Sequence, residues 1–158
     1  MSINIPDALK MLANAANSIA TFAKVRQEME GKGRTLIEEL ETNSFHCWSV
    51  IERGVPVGDI VNALSTTKYD ELNQEGFDFN IIKSRKVYRY RSLAGTDLAF
   101  LGGKETKVLI TNIYDRIKDL KAKYPYAENS NQKRWYMRVV NIQKRILLLL
   151  RHVKSNKK

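Results

Sequence analysis

The sequence predicts an all-α fold: a single-domain helical bundle of about five helices over residues 1–158. Three observations predict it. Apolar residues recur at three- and four-residue intervals through most of the chain, the period of a helix buried along one side. Glycines and prolines fall between the periodic stretches: Gly54 and Pro125 end helices, and Gly95, Gly102 and Gly103 bracket the short segment "TDLAFL". Finally, 158 residues with 43% hydrophobic and 28% charged content suit one folded domain, and a chain of that length buries roughly 70% of its unfolded surface.

The first helix is expected over about residues 6–30. Pro6 suits a first helical position, where its missing N–H would have no partner anyway. Leu9, Leu12, Ala16, Ile19, Ala23 and Met29 form the stripe, and Gly31 and Gly33 stop it. The second helix is expected to start at Thr35. There "TLIE" reads as a capping box, with the Thr35 hydroxyl on the Glu38 N–H and the Glu38 carboxylate reaching back. Leu36, Leu40, Cys47 and Ile51 share a face, and Gly54 ends the element. "VGDIVNAL" reads as a short helix capped by Asp59, and "STTKYDELNQEG" as its extension or a further helical turn.

Residues 77–94 carry two conflicting patterns. "FDFNII" and "VYRYR" alternate like a strand. At about 100° per residue, however, Phe79, Ile82, Val87, Tyr90, Leu93 and Ala94 share one side. A lone strand pair is out of place in a helix-rich chain, so helix is expected. The next helix covers about residues 104–124, striped by Leu109, Ile113, Ile117 and Leu120 and closed by Pro125. Asn129 or Ser130 can cap the last helix, residues 132–154. Its Trp135, Val139, Ile142, Ile146, Leu149 and Val153 make a heptad-like seam. Residues 155–158 read as a frayed basic tail.

Charge separates the chain into halves. Residues 1–80 hold 7 Lys/Arg against 12 Asp/Glu, a net of −5, and residues 81–158 hold 20 against 5, a net of +15. The densest stretch is "KSRKVYRYR", with Lys83, Arg85, Lys86, Arg89 and Arg91 around Tyr88 and Tyr90. On the last helix Lys133, Arg134, Arg138, Lys144, Arg145 and Arg151 fall within about 140° of arc, opposite the seam. Arginine grips phosphate bidentately and tyrosine stacks on unpaired bases. These eleven cations are therefore the expected nucleic-acid contacts, acting on RNA or DNA by phosphate neutralisation. Because Tyr90 lies on the apolar side of the helical projection, its part in base stacking is weaker than its part in the core.

Catalytic and cofactor signatures are sparse. "GKGR" at 31–34 lacks the third glycine of a dinucleotide loop. "GGKET" at 102–106 has Leu98 where a phosphate loop needs glycine and Glu105 where it needs Ser or Thr. His46 and His152 are the two histidines and Cys47 the one cysteine, too few for a zinc site and with no partner for an internal disulfide. No metal, cofactor or small-molecule substrate is expected. One pattern remains: Arg145 and His152 lie seven residues apart on the last helix, about 20° from facing the same way. That spacing resembles the Arg-x(4–6)-His signature of HEPN ribonucleases, small all-α proteins. The resemblance covers one helix and departs from the commoner form at Ile146. It implies metal-independent RNA cleavage at a dimer interface, with Arg145 and His152 as the catalytic pair.

The leading expectation is a non-catalytic nucleic-acid-binding bundle, acting as a homo-oligomer or as a subunit of a larger complex. A protein–protein adaptor with opposed acidic (Glu38, Glu39, Glu41, Asp70, Glu71, Glu75) and basic surfaces is the second, and the ribonuclease the third. The first residues lack the basic start and unbroken apolar run of a signal peptide. The run Ile146–Leu150 is far short of the ~20 residues that span a bilayer. A cytoplasmic protein is therefore expected.

Overall fold

A computed structural model describes residues 4–127 and 131–154. Among them there are six α-helices, joined or preceded by short 3-10 helices and extended linkers, and no strand. The helices are α1 (Ala15–Glu28), α2 (Gly31–Arg53), α3 (Val57–Ile60), α4 (Thr67–Gln74), α5 (Thr106–Lys123) and α6 (Gln132–Lys154). The all-α bundle read from the sequence is thus the architecture observed. No helix among the described residues is long and apolar enough to cross a membrane.

The N-terminal helix expected as one piece is two. A 3-10 helix spans Asp7–Leu12, and α1 begins only after Asn14. Asn14 is extended (φ −146°, ψ 160°), and its side chain accepts the Asn17 N–H at 2.8 Å. The short amide side chain competes with the helical backbone and wins as an N-cap. Between α1 and α2 the chain reverses within three residues, using the left-handed φ of +57° at Gly31. The helix therefore begins at Gly31 rather than Thr35, and the expected capping box does not form. Thr35 lies inside the helix, and its hydroxyl donates to the Lys32 carbonyl at 2.7 Å. The helix ends as expected at Gly54, whose φ of 69° closes it with a left-handed cap.

Asp59 lies inside α3 rather than capping it. The cap that matters in this region comes from a distant helix. The buried Glu39 carboxylate of α2 accepts the Lys68 N–H (2.8 Å) and Tyr69 N–H (3.2 Å) of α4, the Ser65 hydroxyl (2.9 Å) and the Tyr114 hydroxyl (2.8 Å). An anion at a helix N-terminus satisfies N–H groups that have no partner within the helix.

Residues 77–94 are not the expected helix. Two single 3-10 turns, Phe79–Ile81 and Arg91–Leu93, flank a stretch with no regular structure. Its backbone bonds go elsewhere: the Val87 N–H donates to Lys104 O at 2.8 Å, and Val87 O accepts the Gly103 N–H at 2.7 Å. The apolar residues do enter the core, since Phe79, Ile82, Val87 and Leu93 are all buried. The helical projection thus placed four of its six apolar-side residues correctly but by the wrong geometry, with Tyr90 half-buried and Ala94 exposed, because distant backbone partners replace local ones.

Helices α5 and α6 begin and end within two residues of expectation. Asn129, Ser130 and the 155–158 tail lie outside the described residues; Asn131 accepts the Arg134 N–H at 3.3 Å. The seam of α6 is buried from Trp135 to Leu149. Val140, Leu147, Leu148 and Leu150 on its other sides are buried as well, so from Val139 to Leu150 the helix is enclosed almost all round. α6 packs against α1, α2 and α5. It is the central helix of the bundle rather than an amphipathic helix with one wet basic side.

Candidate polyanion interface

The stretch 83–91 crosses the surface near the C-terminal end of α6. Val87 is its apolar anchor, held by the two backbone bonds to the Gly103–Lys104 turn. That turn requires glycine: Gly103 has φ +79°, and a Cβ there would stand 2.5 Å from Nη2 of Arg89. Around this anchor Lys86, Arg89 and Arg91 are exposed. Arg85, Lys86, Val87, Tyr88, Arg89 and Gly103 line an open concavity of about 450 Å³. The same backbone pairing brings the exposed Lys104 beside them. Among the described residues Lys86, Arg89, Arg91 and Lys104 form no ion pair. Lys104 has no signal in the local sequence, because only a bond spanning seventeen positions puts it there.

The two tyrosines part company. The Tyr90 ring is half-buried against the core, with the Arg151 guanidinium 5.7 Å from its centroid. The Tyr88 ring remains 39% exposed and meets Tyr90 in an edge contact, centroids 4.8 Å apart.

Arg145 and His152 lie inside. Arg145 is fully buried: Nε donates to Asn112 Oδ1 (2.7 Å), Nη1 to Asp97 Oδ2 (3.1 Å) and to Asn141 O (3.0 Å), and Nη2 to Asp97 O (3.4 Å). Lys144 also reaches Asp97, at 3.1 Å. Burial pushes the Asp97 carboxyl up, but hydrogen bonds from Lys144 and Arg145, together with their charges, hold it below the usual range. These two α6 cations therefore pin the loop around Asp97 to the helix.

His152 is 4% exposed, and its Nε2 lies 2.8 Å from the Thr106 hydroxyl, which also contacts the Lys83 carbonyl at 2.5 Å. It forms a further backbone hydrogen bond with Arg85. Burial, then the charges of Lys83 and Arg85, push the imidazole down to about 4, so the ring is neutral at pH 7. Lys83 in turn donates to Val153 O at 3.0 Å, a cation at the carbonyl end of α6. Burial, with Arg85 next, lowers its own pKa.

The remaining α6 cations are divided. Lys133 and Arg134 are exposed in the first turn. Arg138 pairs with Asp119 at 2.6 Å and sits over the Trp135 ring at 5.1 Å. Nineteen residues separate Lys133 from His152, about 28 Å along a helix. The structure thus places Lys133 and Arg134 at one end of the bundle and 83–91 at the other. It does not join them into the single basic face expected, because the middle of that face is covered.

The acidic half is largely neutralised at home. Glu38 pairs with Arg34, Glu41 with Arg26, Glu71 with Lys68 and Glu75 with Lys32. Asp70 reaches across to Lys118 at 2.5 Å, joining the two halves. Cys47 is buried, which pushes its thiol up to about 12. No group of three or more His, Cys, Asp or Glu among the described residues could hold a metal ion.

Comparison with known proteins finds no matching family model, no matching curated protein and no matching solved structure.

Proposed function

We propose that this protein binds nucleic acid without catalysis, through phosphate contacts made by the 83–91 stretch and the adjoining Lys104, and that it works as a homo-oligomer or a subunit of a larger complex. The observation that carries this reading is the concavity edged by Arg85, Lys86 and Arg89, with Arg91 and Lys104 close by. A carboxylate partner would compensate such cations in a purely structural cluster; Lys86, Arg89, Arg91 and Lys104 have none among the described residues. Displacement of condensed counterions then drives association. For about four neutralised phosphates, log K should fall with log salt at a slope of about −3. Fluorescence anisotropy with labelled oligonucleotides over a salt series measures this. Absence of binding to both RNA and DNA at low salt would overturn the reading.

A second reading, the protein–protein adaptor, is favoured by a different surface. Ile19 and Phe45, 46% and 50% exposed, flank a groove of about 260 Å³ between α1 and α2. A stable hetero-complex that survives nuclease treatment and is lost with Phe45→Ala would support it. For the ribonuclease reading the geometry adds no support. Arg145 and His152 bind different partners, and each is enclosed by other side chains.

A further inference from the structure

We infer that the nucleic acid taken by this surface is single-stranded, with an unpaired base stacking on Tyr88; the inference rests on the proposed binding function and specifies its substrate class. Three features of the site point to it.

The first is the element that carries the cations. Reading a duplex in its major groove takes a helix or a two-stranded ribbon that fits the groove. Here the cations sit on an irregular extended stretch tied down at Val87. The second is size. The concavity of about 450 Å³ falls in the range that holds a small ligand. A nucleoside is small enough to sit in such an open concavity.

The third is the aromatic ring. Tyr88 lines the concavity between Lys86 and Arg89, and it is 39% exposed although its neighbour Tyr90 is drawn into the core. Its ring meets Tyr90 edge-on, and the Tyr90 ring in turn has the Arg151 guanidinium 5.7 Å from its centroid, which limits how far Tyr88 can turn. A braced ring loses little side-chain freedom on binding. Cations on either side of an aromatic platform are how sequence-tolerant single-strand sites are built: the charges follow the backbone while the ring takes a base.

The test uses the full chain and fluorescein-labelled 12-nucleotide probes: single-stranded DNA, single-stranded RNA and the matching DNA duplex, each across a salt series. Single strands are expected to bind about tenfold or more tightly than the duplex, and the DNA and RNA arms show which sugar is preferred. Tyr88→Ala is expected to weaken single-strand binding about tenfold with the salt slope unchanged, because a stacking contact is lost but no phosphate contact. Tyr88→Phe should stay within about twofold of the parent, since the ring is kept. Arg89→Ala should instead lower the slope by about 0.7. Equal affinity for duplex and single strand, or an unchanged affinity in Tyr88→Ala, overturns this inference and leaves the proposed function standing. No binding to any probe at low salt removes both.

Discussion

The 83–91 stretch and the second half of α6 look alike in sequence, for each is crowded with Lys and Arg, yet the fold treats them in opposite ways. In the second half of α6 three of the four cations turn inward or sideways: Arg145 is fully buried against Asp97 and Asn112, Lys144 is drawn to the same carboxylate, and Arg151 lies against the Tyr90 ring. On 83–91 it is Val87 that turns inward, and Lys86 and Arg89 remain in solvent. Charge density is therefore a poor guide to a binding surface until the neighbours are known. A cation on a central helix meets other chain segments, and one it meets with a carboxylate becomes a brace.

Removing the best-buried cation should show the largest effect. Arg145→Ala deletes its hydrogen bonds, leaves Asn112 without its partner and leaves Asp97 with Lys144 alone, so stability should fall by about 3 kcal/mol, read from urea unfolding midpoints. A loss under about 1 kcal/mol would erase the contrast between the two regions.

The imidazole braces the same helix and gives a pH signature. The unfolded chain takes up a proton near its ordinary value of 6.5, whereas folded His152 does so only near 4. Between those values the unfolded state binds more protons, so stability falls as pH drops from about 6.5 to about 4 and rises as pH increases. The shift corresponds to about 3 kcal/mol at most. His152→Gln, which has no proton to gain, should lose less stability than the parent over that interval in paired pH–urea titrations.

A smaller effect is expected at Gly103. Alanine there meets a left-handed φ and the Arg89 guanidinium, costing about 1–2 kcal/mol and displacing Arg89 from the concavity. Both the thermal midpoint and oligonucleotide affinity should drop. Smallest in stability is Lys86→Ala, which should alter it by less than about 0.5 kcal/mol while reducing the salt slope of binding. If Lys86→Ala destabilised the fold as much as Arg145→Ala, the two regions would not differ in kind.

Wherever the structure depends on near neighbours, the sequence was a sound guide. The ends of α5 and α6 follow from apolar period, Gly103 and Pro125, and the α6 seam residues entered the core as read. Local reading failed where two local signals competed. At Asn14 a capping side chain outbid a continuous stripe, and at Gly31 the needs of a tight reversal overrode a well-formed capping-box pattern. It failed also where partners lie far away in sequence. Lys104 joins the basic surface, and Glu39 leaves the acidic one, only through bonds to residues seventeen and about thirty positions distant.

The sequence by itself determined that this chain is helical, that its first half is acidic and its second basic, and which apolar residues of α5 and α6 form the core, because period and composition are local properties of the chain. The stripe read for the first helix put Ile19 inside, whereas Phe22 and Val25 are the buried apolar residues of α1. Tertiary structure alone decided which of the basic residues stay in water. That choice depends on what covers α6 and on where the backbone of 83–90 finds its hydrogen bonds, and neither is written within a helix turn of the residues concerned.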